Sequence, residues 1–403
     1  MQRLYQSLIY EHFIKNRQML FLAGPRQVGK TTISKTAEAL TKNFYYWNWD
    51  IVEDRNFILE GPRTIGNKIG LEHIQSTNLP IVVFDEIHKY TKWKNFLKGF
   101  YDLYQTKINI IVTGSSRLDV FKSGGDSLMG RYIPYRIHPI SVAEYIRTSL
   151  TNKEIHLPTY VELEVINNLL KFGGFPDPFL KKDEKFLIQW RRLIQQQLFR
   201  EDIRDLSHIQ EIGQLEILSN LLKYQASQLL NLSNLAKKMN VAVTTIKRWL
   251  GTLEIFYYCF LIKPYTKNIT RGLLREPKLY LWDWSTIKNE GARFENLIAS
   301  HLLKAVHFWT DRGFGDYELY FIRDKEKREV DFLVTKNDTP WFLVEAKYSS
   351  NNSISEHLYR FQKQLNAAHA FQVVLNAEYV DADCFLEKNP VIVPASTFLS
   401  QLI

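Results

Sequence analysis

The sequence predicts an α/β protein: a doubly wound parallel sheet built on a P-loop over residues 1–147, a helical and winged-helix middle over 148–265, and a second α/β unit over 266–403. Three observations predict it. Residues 24–31 read Gly-Pro-Arg-Gln-Val-Gly-Lys-Thr, a complete phosphate-loop motif between an apolar run and a helical pattern. Ile81 to Phe84 is an apolar run that ends in Asp85-Glu86. The alternation of short strands and helices stops after Ile140 and resumes near residue 266.

Met19 to Ala23 is short and apolar, and Thr31 to Leu40 reads as a helix, so the loop has the strand–loop–helix setting its chemistry requires. Gly24 and Gly29 let the backbone curl until its N–H groups face a phosphate chain. Pro25, Arg26, Gln27 and Val28 complete the turn, Lys30 supplies a point charge for β- and γ-phosphates, and the Thr31 hydroxyl is a Mg²⁺ ligand, with Thr32 beside it. The expected ligands are ATP and Mg²⁺. Ile81 to Phe84 suits a strand buried on both faces, with Asp85 and Glu86 emerging at its C-terminal edge. There Asp85 holds Mg²⁺ through water and Glu86 orients or activates the attacking water. A third strand, Ile108 to Val112, ends in Thr113-Gly-Ser-Ser116, where Ser115 is the first candidate to contact the γ-phosphate or the water and Thr113 the second.

From Ser141 to about Lys223 the pattern is helical, broken by Gly173-Gly-Phe-Pro-Asp-Pro178, which must be a sharp turn. Residues 230–265 carry a helix–turn–helix pattern with its turn at Asn240, followed by an apolar strand, Ile255 to Ile262. Lys247 and Arg248 on its second helix would reach DNA phosphates in a winged helix that reads DNA. The basic residues are few, and a winged helix used only for packing is the slightly favoured alternative.

In the last third, a helix over Gly291–Val306 precedes strands at Glu318–Ile322, Glu329–Thr335, Trp341–Lys347 and Phe371–Leu375. Strand alternation puts Glu345 and Lys347 on one face, and a hairpin turning near Asp338 brings Asp331 across from Glu345. With Glu295 from the helix, Asp331 and Glu345 are expected to ligate Mg²⁺ or Mn²⁺, and Lys347 to position a water or stabilise a phosphate.

Composition narrows the class. Apolar residues make up 45% and aromatic residues 14% of 403, which argues for packed cores over disorder. No apolar stretch approaches the roughly 18 residues of a membrane span, so no membrane partner is expected. Met1 to Gln18 has scattered charge and no apolar core, so no secretory signal is expected and a cytoplasmic location is. Cys259 and Cys384 are too far apart for a zinc or disulfide pattern. The net charge of +9 concentrates in residues 1–147 (+7) over 148–265 (+3) and 266–403 (−1), which permits a polyanionic partner such as DNA without requiring one.

Taken together, the chain resembles a family of prokaryotic AAA-type ATPases related to the archaeal ATPases, in which a P-loop core precedes a winged helix and a C-terminal domain similar to PD-(D/E)XK (restriction-endonuclease-like) nucleases. The resemblance rests on Gly24 to Thr32, Asp85-Glu-Ile-His88-Lys89, Thr113-Gly-Ser-Ser116, Met129-Gly-Arg131, Gly173 to Pro178, Lys278-Leu-Tyr-Leu-Trp-Asp283 and Phe294-Glu-Asn296. It implies an additional basic residue for the γ-phosphate at Arg131, acting in cis or from a neighbouring subunit of a homo-oligomer. The Pro-Asp dipeptide of the nuclease pattern reads Glu329-Val330 here. The functional expectation is Mg²⁺-dependent ATP hydrolysis coupled to a nuclease-like domain acting on nucleic acid. Its alternative is a nucleotide-driven switch whose winged-helix and inactive nuclease-like domains bind DNA or a protein without cleavage.

Overall fold

The computed structural model describes residues 1–73, 79–114, 128–204, 211–266, 276–349 and 353–403. The chain divides into two compact units, Met1–His138 with Arg147–Thr151, and Pro139–Ile146 with Asn152–Ile403. Among the described residues no helix is long and apolar enough to cross a membrane.

The first unit is built on five parallel strands: β1 (Met19–Ala23), β2 (Phe44–Asn48), β3 (Ile81–Asp85), β4 (Asn109–Gly114) and β5 (Tyr132–Arg136). Their order is β2-β3-β4-β1-β5. The three inner strands are the apolar runs seen in the sequence. β1 and β3 are buried at every position, as strands covered on both faces must be. The helix Trp93–Tyr104 covers one face with Trp93, Phe96, Leu97, Phe100, Tyr101 and Tyr104, the spacing of a helical stripe. Phe84 meets Phe96 and Phe100 edge-on at 5.4 and 5.5 Å between ring centroids. Because β4 lies between β1 and β3, all three C-terminal ends open on one edge: Ala23 pairs with Gly114, and Thr113 with Asp85.

The second unit carries a mixed seven-stranded sheet of β6 (Cys259–Pro264), β7 (Lys278–Leu281), β8 (Tyr317–Arg323), β9 (Glu329–Lys336), β10 (Thr339–Lys347), β11 (His369–Val374) and β12 (Val391–Pro394), ordered β12-β11-β10-β9-β8-β6-β7. The helix–turn–helix pattern forms as Leu232–Met239 and Val243–Ile255, with Asn240 in the left-handed region at the turn. The strand after it is β6, which pairs with β7 and also with β8. Residues 148–265 and 266–403, expected to be separate domains, therefore share one sheet and one unit. Residues 139–146 pack in the second unit, where the fully buried Glu144 accepts from the fully buried Lys304, whose ammonium also donates to the Pro139 carbonyl at 3.0 Å.

The 22-residue helix Glu290–Asp311 is longer than the sequence reading and is capped by Asn289, whose side chain accepts from the Ala292 N–H. The Gly173–Pro178 break is the predicted turn: Gly173 has φ 79°, and a Cβ on Gly174 would meet the Trp284 ring at 2.6 Å. Pro176 then starts the next helix.

Candidate active site

The loop after β1 is fixed by contacts within the first unit. A Cβ at Gly24 would lie 2.4 Å from the Ile137 carbonyl oxygen, so only glycine fits. Gln27 and Gly29 adopt positive φ of 57° and 100° to complete the curl before the helix opens at Lys30. The Lys30 ammonium, buried in the loop, donates to the carbonyls of Gly24 and Pro25 at 2.8 and 2.7 Å. It therefore sits over the concave side of the turn.

Thr31 and Asp85 meet directly, the hydroxyl donating to Asp85 Oδ2 at 2.9 Å. Asp85 also accepts from the hydroxyls of Tyr46 and Thr113. Thr113, the second candidate for the attacking water, is thus spent on orienting Asp85. Ser115, the first candidate, lies outside the described residues. Glu86 follows in the left-handed region, φ 56°, which swings its side chain away from the strand axis. One of its carboxylate oxygens, Oε2, is buried and has no hydrogen-bond partner; His88 Nε2 and the Lys89 ammonium stand off at 3.8 and 3.7 Å. Burial raises its pKa above the ordinary glutamate value, against the pull of Lys30 and Lys89. A carboxylate of raised basicity beside the phosphate loop is suited to accepting a proton from water.

This donor set fits Mg²⁺, which is held in such sites by one or two protein oxygens plus phosphate and water. The Thr31 hydroxyl and Asp85 carboxylate, 2.9 Å apart, would supply the two oxygens.

Arg131 is not part of this edge. Tyr132 pairs with Met19, and the Met19 N–H donates to the Arg131 carbonyl, which puts Arg131 at the N-terminal end of the sheet. The loop lies beyond Ala23, four residues or roughly 13 Å further along. There the Arg131 guanidinium pairs with Asp102, Nε to Oδ1 at 2.7 Å and Nη2 to Oδ2 at 3.1 Å. A cis role at the γ-phosphate is excluded by this register. Arg136 lies opposite Ala23, at the loop end of β5.

In the second unit the structure brings Glu295, Asp331, Glu345 and Lys347 together, as the hairpin reading predicted. Asn337 and Asp338 turn with φ of 50° and 61°, and a bulge at Trp341 corrects the register. Asp331 Oδ2 accepts the Ala346 N–H at 3.0 Å, and Lys347 donates to Glu345 Oε1 at 2.8 Å. The expected metal position is filled by protein. The buried Lys278 ammonium lies 3.1 Å from Glu295, 3.1 Å from Asp331 and 2.6 Å from Glu329. The Tyr280 hydroxyl also donates to Glu295, at 2.8 Å, and Arg323 pairs with Glu329 at 2.6 Å.

Four carboxylates are thus matched by Lys278, Lys347 and Arg323. Burial, with Asp331 nearby, pushes Glu295 up to about 8 and Glu345 up to about 7, so the cluster approaches neutrality. A divalent ion would enter against a fixed ammonium with little negative charge left to hold it. Among the described residues no three His, Cys, Asp or Glu side chains form a metal cage. Glu295, Asp331 and Glu345 as built do not fit Mg²⁺ or Mn²⁺, and the metal expectation is corrected accordingly.

Comparison with known proteins bears on the first unit. Residues 16–146 match a family model described as AAA domain. Over this segment the chain is similar to AAA domains. Residues 163–289 and 290–398 match two domains of unknown function, DUF8612 and DUF4143. An uncharacterized protein of Methanocaldococcus jannaschii is 28% identical over 72% of this chain and 65% of its own length. One of Mycobacterium tuberculosis is 21% identical over 84% of this chain and 72% of its own. The chain therefore spans about two thirds of the length of these curated relatives. Among solved structures, AMPPCP-bound DnaA from Aquifex aeolicus aligns with 62% of this chain and 86% of its own at 15% identity and a TM-score of 0.30. C. elegans PCH-2 aligns with 61% and 65% at 15% identity and a TM-score of 0.25, and both scores are too low to bear on the fold.

Two further groups of the first unit carry no local signal in the sequence. Tyr46 reaches Asp85 from β2, the strand beside β3. Arg3, buried, donates to the carbonyls of Val28 in the loop and His138 after β5, at 2.8 and 2.7 Å. An arginine three residues from the start carries no local signal for such a role. Arg3→Ala leaves those carbonyls without these donors, at about 1–3 kcal/mol for each buried group. The expected result is a lower unfolding midpoint together with about tenfold weaker Mg-ATP binding in calorimetry.

The second unit has its own pH signature. Glu295 and Glu345 stay protonated in the folded chain after the unfolded chain has released those protons, so their contribution falls as pH rises toward 8. His301 opposes this only at lower pH. Burial, with Lys304 nearby, holds its pKa near 3 against the Nδ1–H bond it donates to Leu297 O, and its Nε2 accepts the Val142 N–H, so its contribution is complete by about 6.5. The unfolding free energy of the second unit, read from denaturant titrations, is expected to fall between pH 6.5 and 8 by of order 1–2 kcal/mol.

Proposed function

We propose that the chain is a Mg²⁺-dependent ATPase whose AAA domain drives a non-cleaving second unit that recognises a partner. The observation that carries the first part is the Thr31–Asp85 contact of 2.9 Å beside Lys30, with the unpartnered Glu86 oxygen at the same sheet edge. Lys30 exchanges the carbonyls of Gly24 and Pro25 for the β- and γ-phosphates. Thr31 and Asp85 hold the metal, with Tyr46 and Thr113 orienting the Asp85 carboxylate. Mg²⁺ held there would supply charge neutralisation to the phosphates, and the bond from the β–γ bridging oxygen to the γ-phosphorus is the one that breaks. Glu86 orients the water whose oxygen bonds to the γ-phosphorus and accepts its proton, leaving ADP and phosphate. Arg136, at the loop end of β5, is a candidate to assist within one copy, and Arg131 acts on nucleotide only from a neighbouring subunit of a homo-oligomer.

The lysine-centred cluster supports the non-cleaving reading of the second unit over a nuclease. The test is incubation of wild type and a Glu345→Ala/Lys347→Ala variant with linear, single-stranded and supercoiled DNA, in Mg²⁺ or Mn²⁺, with and without ATP. No cleavage by either protein is expected. Cleavage by wild type that disappears in the variant overturns the reading.

A further inference from the structure

The second unit contains a cavity of about 780 Å³ beside the helix Ile212–Lys223 and the start of the helix Glu290–Asp311. Three cations line it: Arg191, Lys223 and Lys288. Among the described residues none of them is ion-paired. Arg191 donates to the hydroxyl and carbonyl of Ser285 at 3.3 and 2.6 Å, and Lys223 to the Asn220 side chain at 2.9 Å. Lys288 holds its ammonium 5.9 Å from the centroid of the Tyr224 ring. Glu295 is the single acidic residue on the wall, and its carboxyl already accepts from Lys278 and Tyr280. The wall is therefore net positive, and Asn289 and Ala292 at the start of the long helix lie on it, at the positive end of that helix's dipole.

Half-burial lowers the pKa of both Arg191 and Lys223, with the Asp283 carboxylate opposing the shift. Both cations are thus incompletely compensated, and a bound anion would supply the missing charge. The cavity is of a size that takes a whole small molecule. Tyr224 offers an exposed ring as a stacking platform, and the amides of Asn220, Gln228 and Asn289 offer donors and acceptors suited to a base edge.

We propose that this cavity binds a phosphate monoester carried on a nucleoside, with the phosphate on Arg191, Lys223 and Lys288 and the base on Tyr224. The source of that group is a free mononucleotide or the terminal phosphate of a nucleic-acid strand. The proposal stands apart from ATP hydrolysis in the AAA domain.

The test is calorimetric titration of the full chain with thymidine 5′-monophosphate, a 5′-phosphorylated oligothymidylate, the same oligomer without its phosphate, and inorganic phosphate. Lys223→Met, Lys288→Gln and Lys30→Ala are titrated alongside. A phosphorylated probe is expected to bind wild type, and to weaken about tenfold or more in Lys223→Met and Lys288→Gln but not in Lys30→Ala. Binding of the monophosphate identifies the mononucleotide source, and binding of the phosphorylated oligomer alone identifies the strand end. Lys288 is exposed, so its variant keeps the fold and remains decisive if Lys223→Met does not. The proposal is overturned if neither phosphorylated probe binds, if inorganic phosphate binds equally well, or if only Lys30→Ala loses affinity.

Discussion

Glu86→Gln is expected to leave Mg-ATP binding intact and to lower turnover by about 10²–10⁴. Glu86 is held in the left-handed region at the end of β3, beside but not within the Thr31–Asp85 pair. Its buried Oε2 has no hydrogen-bond partner, so an amide in its place removes basicity while keeping shape. Binding depends on Lys30, Thr31 and Asp85, which the substitution does not touch. A loss confined to turnover marks an interaction used only in the transition state, whereas a parallel loss of affinity would give Glu86 a binding role.

Lys278→Met is expected to destabilise the second unit by about 3–5 kcal/mol, the cost of stranding buried charge by removing one partner. Three carboxylates lose their common cation, two of them at 3.1 Å and one at 2.6 Å. A Lys278→Met/Glu329→Gln double variant recovers part of that loss, because the carboxylate nearest the lysine, at 2.6 Å, goes with its partner. Urea unfolding followed by hydrogen exchange over residues 278–281 separates this effect from unfolding of the AAA domain. A loss below about 1 kcal/mol would mean that Lys278 is solvated rather than central to the cluster.

The elements of both sites could be read where the signal was local. The phosphate loop, the apolar run before Asp85-Glu86, the hairpin through Asn337-Asp338 and the shared face of Glu345 and Lys347 all depend on neighbours in sequence. What escaped depends on assembly. Arg131 follows a glycine as the resemblance expects, yet the register of β5 on β1 fixes it at the far edge of the sheet, and short-range pattern does not encode that register. Lys278 opens a short apolar strand and by pattern looks like a solvated strand end. It is buried because β7 lies on β6, while the Glu290–Asp311 helix supplies Glu295 and β9 supplies Glu329 and Asp331. The same contacts turn an expected metal site into an internal ion cluster. Arg3 and Tyr46 belong to this class as well, since each reaches the loop edge from an element distant in sequence.

The most direct test of the account is phosphate release from saturating Mg-ATP by wild type and Glu86→Gln, with bound nucleotide quantified in the same samples. The account predicts continuous release by wild type, and bound ATP with little release by the variant. Equal release by both proteins, or bound nucleotide without release by wild type, would contradict it.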